Sequence, residues 1–122
     1  MMSLEKYVGL SHFSPDEFDQ PEKMDEYFLK LLDKTREEAG IPFKLSSTFR
    51  EGDPRTHGLG LAVDIAVEEK GTSQARYKIL SAARTVGITR IGFYNHHIHL
   101  DIGDRVDLVK FPPECIWWGV SR

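Results

Sequence analysis

The chain holds a single cysteine, Cys115, so no disulfide can form within it. Nothing ties it to an oxidising compartment, and Cys115 reads as a small residue packed near the C-terminal aromatics, not as a ligand. No apolar run approaches the roughly 20 residues of a membrane span. The first residues, MMSLEKYVGL, lack the long apolar stretch of a signal peptide. The expected product is therefore cytoplasmic as synthesised and has no membrane span. Lys and Arg number 16 against 19 Asp and Glu, for a net charge of -3, and no basic block interrupts the sequence. Nucleic acid asks for a basic face and is not an expected partner. There is no repeat, low-complexity segment or linker. Residues 1–122 read as one domain, large enough to bury a core, and a monomer is expected.

What is present alternates between helical and strand-like patterning. Residues 1–13 read as an irregular or briefly extended arm. Ser14-Pro15-Asp16-Glu17 has the form of a capping box with proline at the first helical position, and Pro21 soon ends that short helix. A longer helix is expected over Pro21–Ala39, with Met24, Phe28, Leu31, Leu32, Thr35 and Ala39 on one face and Gly40 as its stop. Phe43–Phe49 reads as a strand, followed by a polar loop through Pro54. From Leu61 the pattern is strict: Leu61, Val63, Ile65 and Val67 point one way, and Ala62, Asp64 and Ala66 the other. Glu68–Gly71 reads as a turn. Thr72 or Ser73 caps a second helix running to Val86, with Ala75, Ile79, Ala82, Ala83 and Val86 as its buried stripe. Residues 88–94 and His97–Ile102 read as strands joined by a tight Asn95-His96 connection. The tail from 103 is interrupted by Pro112-Pro113, and Trp117-Trp118 read as cover for a core edge, with the wall of a groove as the lesser alternative. The fold class is α+β: a sheet with helices packed on it.

The chemistry lies on two of these strands and one loop. In the last strand, period two puts His97, His99 and Asp101 on one face and Ile98, Leu100 and Ile102 on the other. The polar three are costly to bury without partners. Asp64 sits between two alanines, and small neighbours leave room for an ion. If the two strands are neighbours in one sheet, Asp64 and His99 project from one surface. His57, on a loop loosened by Gly58 and Gly60, can reach the same place. Two histidines and one aspartate would bind one zinc ion and leave a fourth position open, which is the habit of catalytic zinc rather than structural zinc. His97, beside His99, can take part in proton transfer. Arg50, a permanent cation with a planar donor fork, can hold a carbonyl oxygen or a carboxylate. Ser47 reads as a supporting donor, and Asp101 as the group that orients a ligand histidine. The plainer alternatives are a salt bridge from Arg50 to Glu51 or Asp53, an ion pair from Asp64 to Arg50 or Arg55, and a solvated Asp101 at a strand end.

These residues carry a resemblance. Ser47-Thr48-Phe49-Arg50 resembles the S-x-x-R element of the zinc DD-peptidases, a family that includes D-alanyl-D-alanine carboxypeptidases, phage peptidoglycan peptidases and the zinc domain of hedgehog proteins. His57-Gly58-Leu59-Gly60-Leu61-Ala62-Val63-Asp64 matches the H-x-x-G-x-A-x-D element, and His97-Ile98-His99 matches H-x-H. Order and separation also agree. The resemblance implies an antiparallel sheet with packed helices, one zinc per chain on His57, Asp64 and His99, and catalytic roles for His97 and Arg50. It also implies hydrolysis of a peptidoglycan amide next to a D-amino acid, by a carboxypeptidase or an endopeptidase. Arg55 stands where family members often have serine, and His96 stands where one branch carries an acidic general base. A phage or prophage lysis enzyme is the setting this implies, acting on the wall once released. The alternatives are a non-catalytic zinc-containing binding module and a virion structural protein of the same fold.

Overall fold

The computed structural model describes residues 4–67 and 72–119. The expected turn over Glu68–Gly71 lies outside these residues. Five strands and two α-helices make an α+β domain: β1 (Leu45–Ser47), β2 (Ala62–Ala66), β3 (Arg90–Phe93), β4 (His97–Asp101) and β5 (Cys115–Trp118), with α1 (Glu26–Ala39) and α2 (Thr72–Val86). The strand order is β1-β2-β4-β3-β5. The pairs β1/β2, β2/β4 and β3/β4 are antiparallel, whereas β3/β5 is parallel. The sheet is thus mixed and not wholly antiparallel as expected. The long excursion of the tail, through a short 3-10 turn at Gly103–Arg105 and past Pro112-Pro113, brings β5 back beside β3 in the same direction.

The helices form where local signals and burial agree. Helix α1 starts later than Pro21, because Met24 has an extended backbone and Asp25 is the true N-cap, its side chain accepting a hydrogen bond from the Phe28 amide at 2.9 Å. Pro21–Lys23 is instead a separate 3-10 turn. Gly40 ends α1 in the left-handed region at φ 69°, as its position predicts. Pro15–Glu17 is likewise a 3-10 turn, with the Ser14 amide donating to Glu17 Oε2. Thr72 and Ser73, expected as caps, are the first residues of α2.

One face of the sheet is apolar. Val63 and Ile65 of β2, Ile91 and Phe93 of β3, and Ile98 and Leu100 of β4 share one buried core with Phe28, Leu29 and Leu32 of α1 and Ile79 and Ala83 of α2. Each fully buried valine, leucine, isoleucine or phenylalanine among them stabilises by about 1.5–3 kcal/mol. The amino-terminal arm belongs to this core as well. Tyr7 and Phe13 are buried, both rings packing on Phe18 at centroid distances of 5.4 and 5.7 Å, and the Tyr7 hydroxyl donates to the Pro21 carbonyl at 2.7 Å. No helix among the described residues is long and apolar enough to cross a membrane.

The opposite face carries the polar residues, set in rows across the sheet by the strand register. Asp64 pairs with His99, His99 with Gly92, and Gly92 with Trp117. The neighbouring row runs Ala62, Asp101, Arg90, Cys115.

Candidate metal centre

Asp64 lies mid-strand in β2, between Ala62 and Ala66, and is buried. His99 faces it from β4. His57 arrives from a 3-10 turn, Thr56–Leu59, that ends at Gly60 with φ 71°. A Cβ on Gly60 would come 2.1 Å from the Lys23 carbonyl oxygen, so only glycine lets the turn close against that segment. The turn is pinned by the Arg50 amide, which donates to the His57 carbonyl at 3.1 Å. His57, Asp64 and His99 are all buried, and one ligand atom of each lies within 4.8 Å of the other two.

The hydrogen bonds determine which atoms face inward. His57 Nδ1 lies 2.6 Å from the Thr48 carbonyl, which can only accept, so the proton is on Nδ1. Nε2 then presents a lone pair. It is buried, has no hydrogen-bond partner, and lies 3.3 Å from Asp64 Oδ1. On His99, Nε2 lies 2.6 Å from Asp101 Oδ2 and Nδ1 lies 3.0 Å from Asp64 Oδ1. The unpartnered His57 lone pair turned toward a carboxylate oxygen is what a cation would relieve. These residues fit a divalent metal ion, and nitrogen–oxygen donor sets of this kind serve several first-row metals.

Burial alone would raise the Asp64 carboxyl, but the adjoining His57 and His99 rings hold it far below the usual carboxylate range. Burial would lower the His99 imidazolium, yet Asp101 and Asp64 on its two sides hold it above the ordinary histidine value. Asp101 is likewise held low against burial, by His99, the Gly103 amide and Arg90.

Around this centre opens a cleft of about 670 Å³. Arg50 stands half-exposed at its edge. Its guanidinium reaches Asp64 Oδ2 at 3.1 Å, Asp53 Oδ2 at 3.2 Å and Ser47 Oγ at 2.9 Å. Two of the plainer expectations, pairing of Arg50 with Asp53 and of Asp64 with Arg50, are therefore met together. His97 Nε2 lies 3.7 Å from Asp64 Oδ2. Burial, with the nearby positive groups His99, Arg50 and His57, lowers the His97 pKa against the opposing pull of Asp64. Its ring stacks on Tyr94 with centroids 4.5 Å apart and planes within 13°. The Tyr94 hydroxyl in turn accepts from Trp117 Nε1 at 3.0 Å. His96 is exposed in the β3–β4 turn, and its carbonyl accepts from the Val67 amide.

The structure brings together His57, Asp64, His99, Asp101, His97, Arg50 and Ser47. In the tail it favours the lesser reading for Trp117, which lines the cleft 5.4 Å from the His99 ring and is not cover for a core edge. Trp118 is 80% exposed and stacks on Phe93 at 5.0 Å. Sequence reasoning missed Arg90 and Tyr94. The signal was there, because Arg90, Gly92 and Tyr94 alternate with Ile91 and Phe93 just as His97, His99 and Asp101 alternate with their apolar neighbours. Comparison of the chain with protein-family models, with curated proteins and with solved structures gave no match.

Proposed function

We propose that this chain is a zinc-dependent peptidase that hydrolyses amide bonds next to a D-amino acid in peptidoglycan peptides. The observation that carries the metal part of this reading is the buried, partnerless Nε2 of His57, turned toward Asp64 beside His99 Nδ1 at the floor of an open cleft. The substrate class rests on the motif resemblance of residues 47–50, 57–64 and 97–99.

In this reading, His57 through Nε2, His99 through Nδ1 and Asp64 through Oδ1 hold the ion. Zinc at such a site supplies a water acidic enough to act as a nucleophile near neutral pH, and a Lewis acid for the scissile carbonyl. The chain's own residues do the rest. Arg50 is aimed by Ser47, Asp53 and Asp64, and an N–H on its exposed side can hold the carbonyl oxygen of the bound peptide. His97 is kept neutral by burial and by the positive groups near it, so it can take a proton at Nε2 and return it to the departing amine. Tyr94 holds the His97 ring flat by stacking, and Trp117 fixes Tyr94 and forms the far wall of the cleft.

Two measurements separate this reading from its rivals. Metal analysis of the purified protein should give about one zinc per chain. Incubation with purified peptidoglycan should release new amino groups. Zinc without release would leave a non-catalytic zinc module, and no zinc would leave neither.

A further inference from the structure

We propose that Arg90 is a positioning residue of the metal centre, acting through Asp101 to hold His99 in the tautomer that turns its Nδ1 lone pair toward Asp64. The inference rests on the metal-centre reading and does not depend on which bond, if any, is cut.

Arg90 opens β3 directly opposite Asp101 and is 4% exposed. Its Nε donates to Asp101 Oδ1 at 2.6 Å, and its Nη1 to the Pro112 carbonyl at 2.8 Å. The guanidinium lies against the rings of Phe111 and Trp117, at 5.4 and 5.2 Å. An isolated buried ion pair is weak support for stability, because apolar residues of the same volume commonly do as well. This pair is not isolated. Asp101 Oδ1 also accepts from the Gly103 amide at 2.9 Å, and Oδ2 faces the Thr56 hydroxyl at 3.4 Å and His99 Nε2 at 2.6 Å. The guanidinium and the backbone amide can only donate. They fix the orientation of the carboxylate and present an oxygen, an acceptor, to His99. Nε2 then carries a hydrogen, which leaves Nδ1, facing Asp64, as the nitrogen that can give its lone pair to an ion. Without Arg90 the carboxylate loses its strongest fixed donor. His99 is then free to turn or to take the other tautomer, which would put an N–H where the ion binds. Metal-ligand histidines are commonly oriented by a carboxylate in this way; here the chain adds a second charged group behind it.

The test compares the full-length parent with Arg90→Gln and Arg90→Lys. Zinc affinity is measured by competition with a chromophoric chelator, and the His99 tautomer by nitrogen-15 NMR of the metal-free proteins at a pH where the ring is neutral. Arg90→Gln should weaken zinc binding about 10- to 100-fold and give a mixed His99 tautomer. Arg90→Lys keeps the charge but loses the planar fork, and should recover part of the affinity. A merely structural arginine would lower the melting temperature of the metal-free protein and leave the tautomer unchanged. If Arg90→Gln does not fold, Arg90→Lys decides, since parental zinc affinity with an unchanged tautomer overturns the proposal. A parent that binds no zinc overturns the metal centre itself. A parent that binds zinc, with variants that match it, overturns only the role of Arg90.

Discussion

Replacing Gly92 with alanine tests how the sheet builds the cleft. Gly92 sits in β3 between His99 and Trp117 in register. A Cβ there would lie 2.6 Å from Trp117 Cε2 and Nε1 and 2.9 Å from Cζ2. Carbon atoms in good contact are about 3.5–4.0 Å apart, so the indole must move by about 1 Å or more. It is not free to do so without loss, because Nε1 is bonded to Tyr94 Oη and the ring touches His99 and Arg90. Overpacking of this kind costs about 1–3 kcal/mol. The lost indole bond adds about 1 kcal/mol, and the stiffer alanine backbone returns about 0.5–1 kcal/mol. The net expectation is destabilisation by about 1–3 kcal/mol, a fall in melting temperature of about 4–12 °C for a chain of this size. Thermal unfolding followed by near-ultraviolet circular dichroism reads it directly. The decisive arm is the same substitution in a Trp117→Ala background, where the clash has no partner and Gly92→Ala should become neutral or stabilise by about 0.5–1 kcal/mol. An equal loss in both backgrounds would refute the reasoning.

Further expectations can be checked alongside it. His97→Ala should keep zinc yet abolish amino-group release from peptidoglycan; undiminished release would remove His97 from the chemistry. Asp25→Ala should cost about 1 kcal/mol in denaturant unfolding, by stripping the N-cap of α1. Tyr7→Phe should cost about 0.5–1.5 kcal/mol through the lost bond to Pro21. Burial, then the charge of Glu22, holds the Tyr7 phenol above its ordinary value of 10.0. The folded state therefore keeps that proton more tightly than the unfolded one. The stabilisation is complete below pH 10 and is lost as the pH climbs above it, so the parent should lose stability faster than Tyr7→Phe in that range. Parallel alkaline profiles would count against a buried Tyr7.

Local pattern was enough to read some parts of this molecule and not others. The alternation through His97–Ile102 and Leu61–Val67 gave both central strands and the side each residue faces, because period two is a property of the chain itself. Val86 and Gly87 gave the end of α2 for a similar reason. The start of α1 was misplaced because proline marks a helical first turn of either kind, and only the observed cap at Asp25 separates the 3-10 turn from the helix. Strand β5 was invisible because its parallel pairing with β3 is a long-range matter, and its exposed edge gives no clean alternation of polarity. The arm was read as irregular, yet Tyr7 and Phe13 are buried through contacts with Phe18, Phe43 and Pro21 that no local window contains. At the site, the convergence of His57, Asp64 and His99 was foreseeable once β2 and β4 were taken as neighbours. Arg90 was passed over because the alternation of β3 gives the face of its side chain but not its partner, which is plain only once Asp101 is placed opposite it.

The most direct measurement is zinc content per chain after purification and dialysis, in the parent and in His57→Ala, Asp64→Ala and His99→Ala. The account predicts about one zinc in the parent and a large loss in each of the three variants. A parent without metal, or three variants that hold as much zinc as the parent, would contradict it.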